Sequence, residues 1–221
     1  IKHETIYYPN KIKQIIGRLN TQNLSEKEER EAVETITELI EYYKGIFTIL
    51  SSCAARQLEE VTFRRTTIPV QELFDAAGKY FRKVMKNRME KIELIMEPME
   101  AKVIGDVNQL RFLFENLIDE ALAVHEEGVI RLQARKDNEY VRFLFTDTRR
   151  EKSVTELNQL FYPNLARMTS GEKGELRGTE YLICKQIIRD HDEFAGRRGC
   201  RINAEPAEGG GFTVYFTIPR R

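Results

Sequence analysis

Asn116 and Glu120 are the first side chains whose types and spacing suggest chemistry. They stand four residues apart within Ile104–Val124, so a helix would place the amide and the carboxylate on the same side. Polar groups at the edge of a buried helix face can line a pocket, and they can equally be the solvated edge of an ordinary amphipathic helix. The spacing alone leaves both interpretations open. The buried face itself is predicted by apolar residues that recur three and four positions apart, namely Leu110, Leu113, Phe114, Leu117, Ile118 and Ala121.

The helix that carries this pair has a recognisable start. Asp106 is a residue type preferred at the N-cap, and Gln109 follows three positions later, as in a capping box. We therefore expect the helix to begin at Asp106 and to be capped from both sides.

A second group of candidate residues lies in a probable loop. Between Arg149 and Gly178 the apolar pattern dissolves into charged and glycine-containing sequence, and a long irregular segment inside a compact domain is usually a lid or a binding loop. Its last part, Met168–Gly178, reads MTSGEKGELRG, where Lys173 and Arg177 could contact phosphates. A generic surface loop has the same composition.

The composition excludes several classes of protein. The 35 basic and 35 acidic residues cancel over 221 residues, so no global field favours nucleic acid or an anionic membrane. No apolar run approaches the roughly 20 residues that a membrane span needs. The three cysteines, Cys53, Cys184 and Cys200, are far apart and predict reduced thiols in a cytoplasmic protein. Because the chain opens at Ile1 already in helical pattern, we expect a sensor or membrane part upstream of it.

Residues 1–60 predict two helices. The first covers Ile1–Leu19, with a kink or register change at Pro9, and Ser25 with Glu28 forms a capping box that starts the second. Two antiparallel helices with heptad seams favour a dimeric four-helix bundle, although the hairpin could pack on its own second domain instead. The seam of the second helix consists of Val33, Ile36, Ile40, Tyr43, Phe47, Leu50 and Ala54.

Residues 61–221 predict a mixed α/β domain, so that the whole chain is of the α+β class. Helical spacing alternates here with strands of period two. The predicted elements are a helix over Val70–Met85, a strand over Ile92–Met96, the helix already described, a hairpin over Ile130–Phe145, a helix over Thr179–Asp190, and strands over Arg201–Ala204 and Phe212–Ile218.

This layout resembles a histidine-kinase transmitter, in which a dimerisation and phosphoacceptor hairpin precedes an ATPase domain of the type also found in DNA gyrase B subunits. The run GTEYLICKQIIRDH, residues 178–191, is similar to the family's GLGLAICKQIVEAH. The run INAEPAEGGGFTVYFTIP resembles its closing hairpin, and the segment around Asn116 resembles its N box. The resemblance implies a two-layer α/β sandwich, ATP and Mg²⁺ as cofactors, a homodimer, a response-regulator receiver domain as partner, and no nucleic acid.

The resemblance also assigns roles in the first helix. His3 and Glu4 followed by Pro9 resemble the H box, which makes His3 the phosphoacceptor and Glu4 its acid–base partner. A neutral imidazole oriented by a carboxylate is a good nucleophile near neutral pH. The proline stands six residues after the histidine, where five is usual in the family.

In the nucleotide site the resemblance assigns Asn116 and Glu120 to magnesium, Asp147 to the adenine amino group, and Gly178, Lys173 and Arg177 to the phosphates. The sequence departs from the family in four places, the first being Glu120, which replaces the second asparagine of the N box but could still bind magnesium. Arg149 and Glu151 replace the two glycines that follow the aspartate, and Glu180 replaces a glycine near the phosphates. Ala123 stands where a basic residue is common. These changes predict a site that binds ATP weakly, unusually or not at all, since glycines there allow the backbone to approach the nucleotide.

Three functional hypotheses follow. The first is a divergent histidine kinase that phosphorylates His3 and passes the phosphoryl group to a response regulator. The second is a pseudokinase that acts as a dimeric scaffold, or whose His3 receives phosphate from a partner. A serine kinase of the anti-sigma type shares the ATPase fold but lacks the long hairpin, and ranks last.

The heptad seam predicts that the 221-residue chain is a dimer in solution. Light scattering at tens of micromolar should report twice the chain mass. Aspartate at both Ile40 and Phe47 should give monomers or aggregates, because charges in an apolar seam are costly to bury. A monomeric unmodified chain would contradict the bundle.

Overall fold

The computed structural model describes residues 2–21, 24–40, 63–162, 169–170, 176–177 and 179–221. These residues form two compact units. The first comprises residues 1–59 and 163–178, and the second comprises residues 60–162 and 179–221. None of the helices in the described parts has the length and apolar character that crossing a bilayer requires.

The described residues of the first unit form two helices and a small ribbon. Helix α1 covers Lys2–Thr21 and continues through Pro9, and helix α2 covers residues 26–40. The predicted capping box is confirmed, since Ser25 N donates to Glu28 Oε2 at 2.9 Å and Glu28 N donates to Ser25 Oγ at 3.4 Å. The seam beyond Ile40 lies outside the described residues, so the hairpin and its bundle stay predictions. Strands β6 (Thr169–Ser170) and β7 (Leu176–Arg177) pair antiparallel.

The second unit is an α/β structure built on a five-stranded sheet. Its strand order is β2-β4-β5-β9-β8, in which β2 and β4 are parallel and the other pairs antiparallel. The strands are β2 (Ile92–Glu97), β4 (Gly128–Asp137), β5 (Tyr140–Asp147), β8 (Ile202–Pro206) and β9 (Phe212–Pro219). A separate pair is formed by β1 (Thr66–Pro69) and β3 (Lys102–Gly105).

The helices of this unit supply the other half of its core. They are α3 (Val70–Met85), α4 (Val107–Leu122), α5 (Val154–Gln159) and α6 (Glu180–Phe194). On α4 every residue of the predicted apolar face is buried, and alternate residues of β5 are buried as well. Phe143 on β5 stacks on Phe216 of β9 with ring centroids 5.0 Å apart, and Phe114 of α4 contacts both rings. The sheet and α4 therefore share one continuous core.

Three details differ from the sequence prediction. Strand β1 was not expected. Helix α5 lies inside the segment predicted to be irregular, where Ser153 and Glu156 form a complete capping box. The prediction that α4 is capped from both sides is confirmed for Asp106 and wrong for Gln109. The side chain of Asp106 accepts from Asn108 N and Gln109 N as expected, but Gln109 Oε1 is buried with no hydrogen-bond partner among the described residues.

Candidate functional site

Asp147 lies at the end of β5, the central strand of the sheet, and is buried with 1% of its surface exposed. A buried carboxylate needs an opposite charge, because removing it from water costs several kcal/mol. Arg149 supplies this charge. Its Nε donates to Asp147 Oδ1 at 2.8 Å and its Nη2 to Oδ2 at 2.9 Å, so the pairing is bidentate. The Arg149 side chain is itself only 1% exposed.

The rest of the Arg149 guanidinium is satisfied by backbone carbonyls. Nη2 also donates to Ala121 O at 2.7 Å, in the last turn of α4, and Nη1 donates to Glu126 O at 3.0 Å. Carbonyls in the last turn of a helix have no partner within the helix, and the helix dipole favours a cation there. The guanidinium therefore closes the space between the end of β5 and the end of α4.

Two glycines make this arrangement possible. Gly128 has a φ of 138°, and a Cβ on it would lie 2.8 Å from Arg149 Cγ. Gly211, with a φ of 81°, precedes β9, and a Cβ there would lie 2.1 Å from Asp147 O. Both residues combine a backbone conformation that favours glycine with a lack of room for a side chain. They fix the chain on either side of the ion pair.

Arg150 extends the charge network towards α4. Its Nε donates to Asp147 Oδ2 at 3.0 Å, and its Nη1 lies 3.9 Å from Glu120 Oε1. The guanidinium also lies over the ring of Phe212, 5.7 Å from the centroid, and Lys152 Nζ lies 5.4 Å from the same centroid. Carboxylates and cations thus alternate along this end of the sheet.

Of the predicted pair on α4, Glu120 contacts this network, and Asn116 lies one helical turn before it. Asn116 is buried, with 5% of its surface exposed, and its Nδ2 donates to Phe112 O at 2.7 Å. The Glu120 side chain keeps 19% exposure and contacts Arg150. The structure therefore brings Asn116, Glu120 and Asp147 to one region of the unit. Within the described ranges, no group of three or more His, Cys, Asp or Glu side chains is placed to hold a metal ion.

The first turn of α6 completes the region. Tyr181 is buried, and burial followed by the nearby Glu120 charge raises the pKa of its hydroxyl. In this part of the chain Glu180 Oε2 is buried and has no hydrogen-bond partner among the residues that the structure describes. A carboxylate oxygen without a donor is costly, so this position is energetically strained.

Several predicted site residues are not tested. Lys173 and Gly178 lie outside the described residues. His3 and Glu4 lie in helix α1 and Arg177 lies in strand β7, but the structure describes none of these three side chains. Their roles stay predictions.

The sequence alone did not indicate the residues that shape the site most strongly. Arg149 was noted as a replaced glycine, and neither its ion pair with Asp147 nor the contribution of Arg150 and Gly128 was expected. The available signal was local. Two consecutive arginines stand two and three positions after an acidic residue that ends a buried strand, and such a carboxylate requires a cationic partner.

The fold is that of an ATPase-like domain of the histidine-kinase type. Residues 105–221, more than half of the chain, match the family model "Histidine kinase-, DNA gyrase B-, and HSP90-like ATPase". The chain belongs to this family, as the sequence predicted. A search of curated proteins found no match.

Solved structures of histidine kinases have a similar fold. The catalytic domain of histidine kinase ThkA is 20% identical with a TM-score of 0.56, over 71% of this chain and 96% of that one. The histidine kinase AdeS of Acinetobacter baumannii is 13% identical with a TM-score of 0.54, over 98% and 97%. ThkA in complex with the response regulator TrrA is 18% identical with a TM-score of 0.58, over all of this chain and 60% of that one.

The buried ion pair leads to a stability prediction. Arg149→Ala should lower the free energy of unfolding by about 3–5 kcal/mol, because it leaves the Asp147 charge buried and short of its main partner. Arg149→Lys should lower the free energy of unfolding by less than Arg149→Ala does, because the lysine keeps the positive charge. It should still be less stable than the natural chain, because an ammonium cannot donate in a bidentate fashion. Urea unfolding of the second unit measures both.

Arg198 provides the matched control for this experiment. It pairs with Asp192 at 3.2 Å but keeps 73% exposure. Arg198→Ala should therefore cost only about 0.2–1 kcal/mol. Equal effects of the two alanine variants would show that burial of the Arg149 pair contributes nothing.

Proposed function

We propose that this chain is a histidine-kinase-type transmitter of two-component signal transduction whose nucleotide site binds ATP weakly. One observation carries the proposal. The Asp147 carboxylate, which by family resemblance accepts a hydrogen bond from the adenine amino group, already accepts bidentate hydrogen bonds from Arg149.

The residues present do not fit an adenine in this arrangement. Both oxygens of Asp147 are engaged by guanidinium nitrogens, and Oδ1 also accepts from Arg149 N at 3.1 Å. A base that reached Asp147 would have to displace a side chain whose loss costs about 3–5 kcal/mol. Since about 1.4 kcal/mol corresponds to a factor of ten, this cost weakens binding about a hundredfold or more.

The magnesium position is affected in the same way. Asn116 and Glu120 carry the oxygen donors that Mg²⁺ prefers. Glu120 lies near Arg150, which already offsets part of its negative charge. Such a site has less to gain from a cation than a free carboxylate would have, which again supports weak binding of Mg-ATP.

The helical part of the chain supports transfer and dimerisation. By resemblance His3 is the phosphoacceptor, Glu4 its acid–base partner, and a response-regulator receiver domain the recipient. Ile16, Val33 and Ile40 expose large apolar side chains, as expected of helices that pair in a homodimer. Lys173, Arg177 and Gly178 would lie by the phosphates.

A second candidate function is a pseudokinase that acts as a dimeric scaffold. The same Arg149–Asp147 pair favours it, because a site closed by its own side chain keeps the fold without nucleotide. In this case His3 receives phosphate from a partner, or carries none.

Calorimetric titration with Mg-ATP and Mg-ADP tests the site. The natural chain should bind ATP more weakly than low micromolar, and the triple variant Arg149→Gly, Glu151→Gly, Glu180→Gly should bind at least tenfold more tightly. As a control, the double variant Glu151→Gly, Glu180→Gly should gain less, since it retains the ion pair. Low-micromolar binding by the natural chain would refute the closed site.

Phosphorylation separates the kinase from the pseudokinase: labelled ATP as donor tests the kinase, an adduct from a phosphorylated receiver domain alone supports a pseudokinase that receives phosphate, and no adduct supports the scaffold. A phosphohistidine is labile in acid and stable in base. Labelled ATP or a phosphorylated receiver domain should give an adduct of this kind that disappears in His3→Gln and persists in His125→Gln. Glu4→Gln should slow its formation about 10²–10⁴-fold while folding is kept. No adduct from either donor, in a folded dimer with magnesium, leaves only the scaffold.

A further inference from the structure

His191, in the last turn of α6, is fully buried and joins two helices. Its Nδ1 lies 2.8 Å from Ile187 O, and its Nε2 lies 3.1 Å from Asp106 N. A backbone N–H only donates, so Nε2 must be the unprotonated nitrogen and Nδ1 must carry the hydrogen. The contact between α6 and the start of α4 therefore requires a neutral imidazole in one tautomer.

Residues 63–65, which we call the strap, attach at the same point. The Phe63 ring meets the His191 ring edge-on with centroids 4.9 Å apart, and it also contacts Phe194 at 5.8 Å. The amide of Arg64 donates to Asp106 Oδ2 at 2.8 Å. The strap is the first described segment of the second unit, and it leads into β1.

Asp106 binds three backbone amides at this junction. Its Oδ1 accepts from Asn108 N at 2.9 Å and from Gln109 N at 3.1 Å, which caps α4, while Oδ2 holds the strap. Gly105 allows the close approach, because a Cβ there would lie 2.8 Å from His191 Cδ2 and Nε2. One imidazole and one carboxylate therefore hold α4, α6 and the strap together.

The charges around His191 are few. Burial lowers the pKa of His191, and the Asp106 carboxylate opposes this with a smaller effect. On its own helix, Asp190 accepts from Gln186, and Asp192 accepts from Gly199 N, Cys200 N and Arg198. From the strap, the guanidinium of Arg65 lies against Gly196.

We propose that His191 and Asp106 form a proton-controlled latch that holds the strap on the second unit at neutral pH and releases it on acidification. A proton from solvent binds the Nε2 lone pair, so that an N–H donor then faces the N–H of Asp106. The hydrogen bond is lost. The imidazole must then shift away from the Asp106 amide, and the Phe63 ring of the strap loses the ring on which it packs.

The direction of the pH effect follows from linkage. His191 binds a proton less readily in the latched form than in the open form. In the open form it is an ordinary histidine, with a pKa of about 6.5. The latch is therefore fully favoured above that pH. Below it, each pH unit shifts the equilibrium towards the open form by up to about tenfold. The latch needs no nucleotide, so it stands apart from the proposed function.

Hydrogen exchange of the Arg64 and Asp106 amides in the 221-residue chain tests the latch. From pH 7.5 to 6.5 their protection, corrected for intrinsic exchange, should fall by less than about twofold. From 6.5 to 5.5 it should fall by up to about fivefold, while the amide of Phe143 in the sheet stays protected. His191→Gln should abolish this pH dependence, because a glutamine oxygen can still accept from Asp106 N and does not titrate.

Two further variants complete the design. Phe63→Ala leaves His191 intact but removes the ring contact, so the Arg64 amide should lose protection at every pH while the sheet keeps its own. His125→Gln removes an exposed histidine and should leave the pH dependence unchanged. Arg64 protection that is constant down to pH 5.5, or a fall that persists in His191→Gln, would overturn the latch. If His191→Gln fails to fold, the natural chain and Phe63→Ala decide between the outcomes.

Discussion

The need to neutralise one buried carboxylate shapes the whole end of the sheet around Asp147. An isolated charge at this depth would cost several kcal/mol, so the structure places Arg149 and Arg150 within hydrogen-bond distance. The same guanidinium groups cover carbonyls in the last turn of α4, a helix with no basic residue of its own there. Charge balance at Asp147 and termination of α4 are therefore a single arrangement.

The two ends of α4 are treated alike. At its start, the Asp106 carboxylate and the His191 imidazole accept from backbone N–H groups that have no partner within the helix. At its end, the two arginines that follow β5 donate to backbone carbonyls of the last turn, and Arg88 donates to Leu122 O at 2.6 Å. The helix that carries Asn116 and Glu120 is thus held by polar contacts at both termini and by apolar packing between them. Its position is fixed without any ligand.

The sequence predicted those parts of the fold that depend on periodicity. Every apolar position named on α4 is buried, and the hairpin of β4 and β5 and the closing strands β8 and β9 lie where expected. Helix α5 was missed because it is only six residues long, too short for an apolar pattern, although Ser153 and Glu156 repeat the signature recognised at Ser25 and Glu28. The sequence could not predict that Gln109 would fail to accept from the Asp106 amide. The acceptor there is instead His191, which is 85 positions from Asp106 in sequence.

The site was harder to predict for a physical reason. A motif says which residue type stands at a position, but the pairing of Asp147 depends on where Arg149 goes once glycine is replaced, and that depends on Gly128 and on distant carbonyls. In the sequence, His191 stood out only as the last residue of the run 178–191 that resembles a family motif. Its contacts with the strap, Asp106 and Ile187 involve three separate parts of the chain, which no local pattern connects.

The lining around the Arg149 guanidinium has a chemical character of its own. It consists of the Asp147 carboxylate, two peptide carbonyls and a glycine whose missing side chain leaves flat space beside the arginine. All of its polar atoms are acceptors and one group is anionic. The complement of these acceptors is a small planar cation with N–H groups around its rim. Emptied of its arginine, the space would be a receptor for guanidinium or amidinium ions.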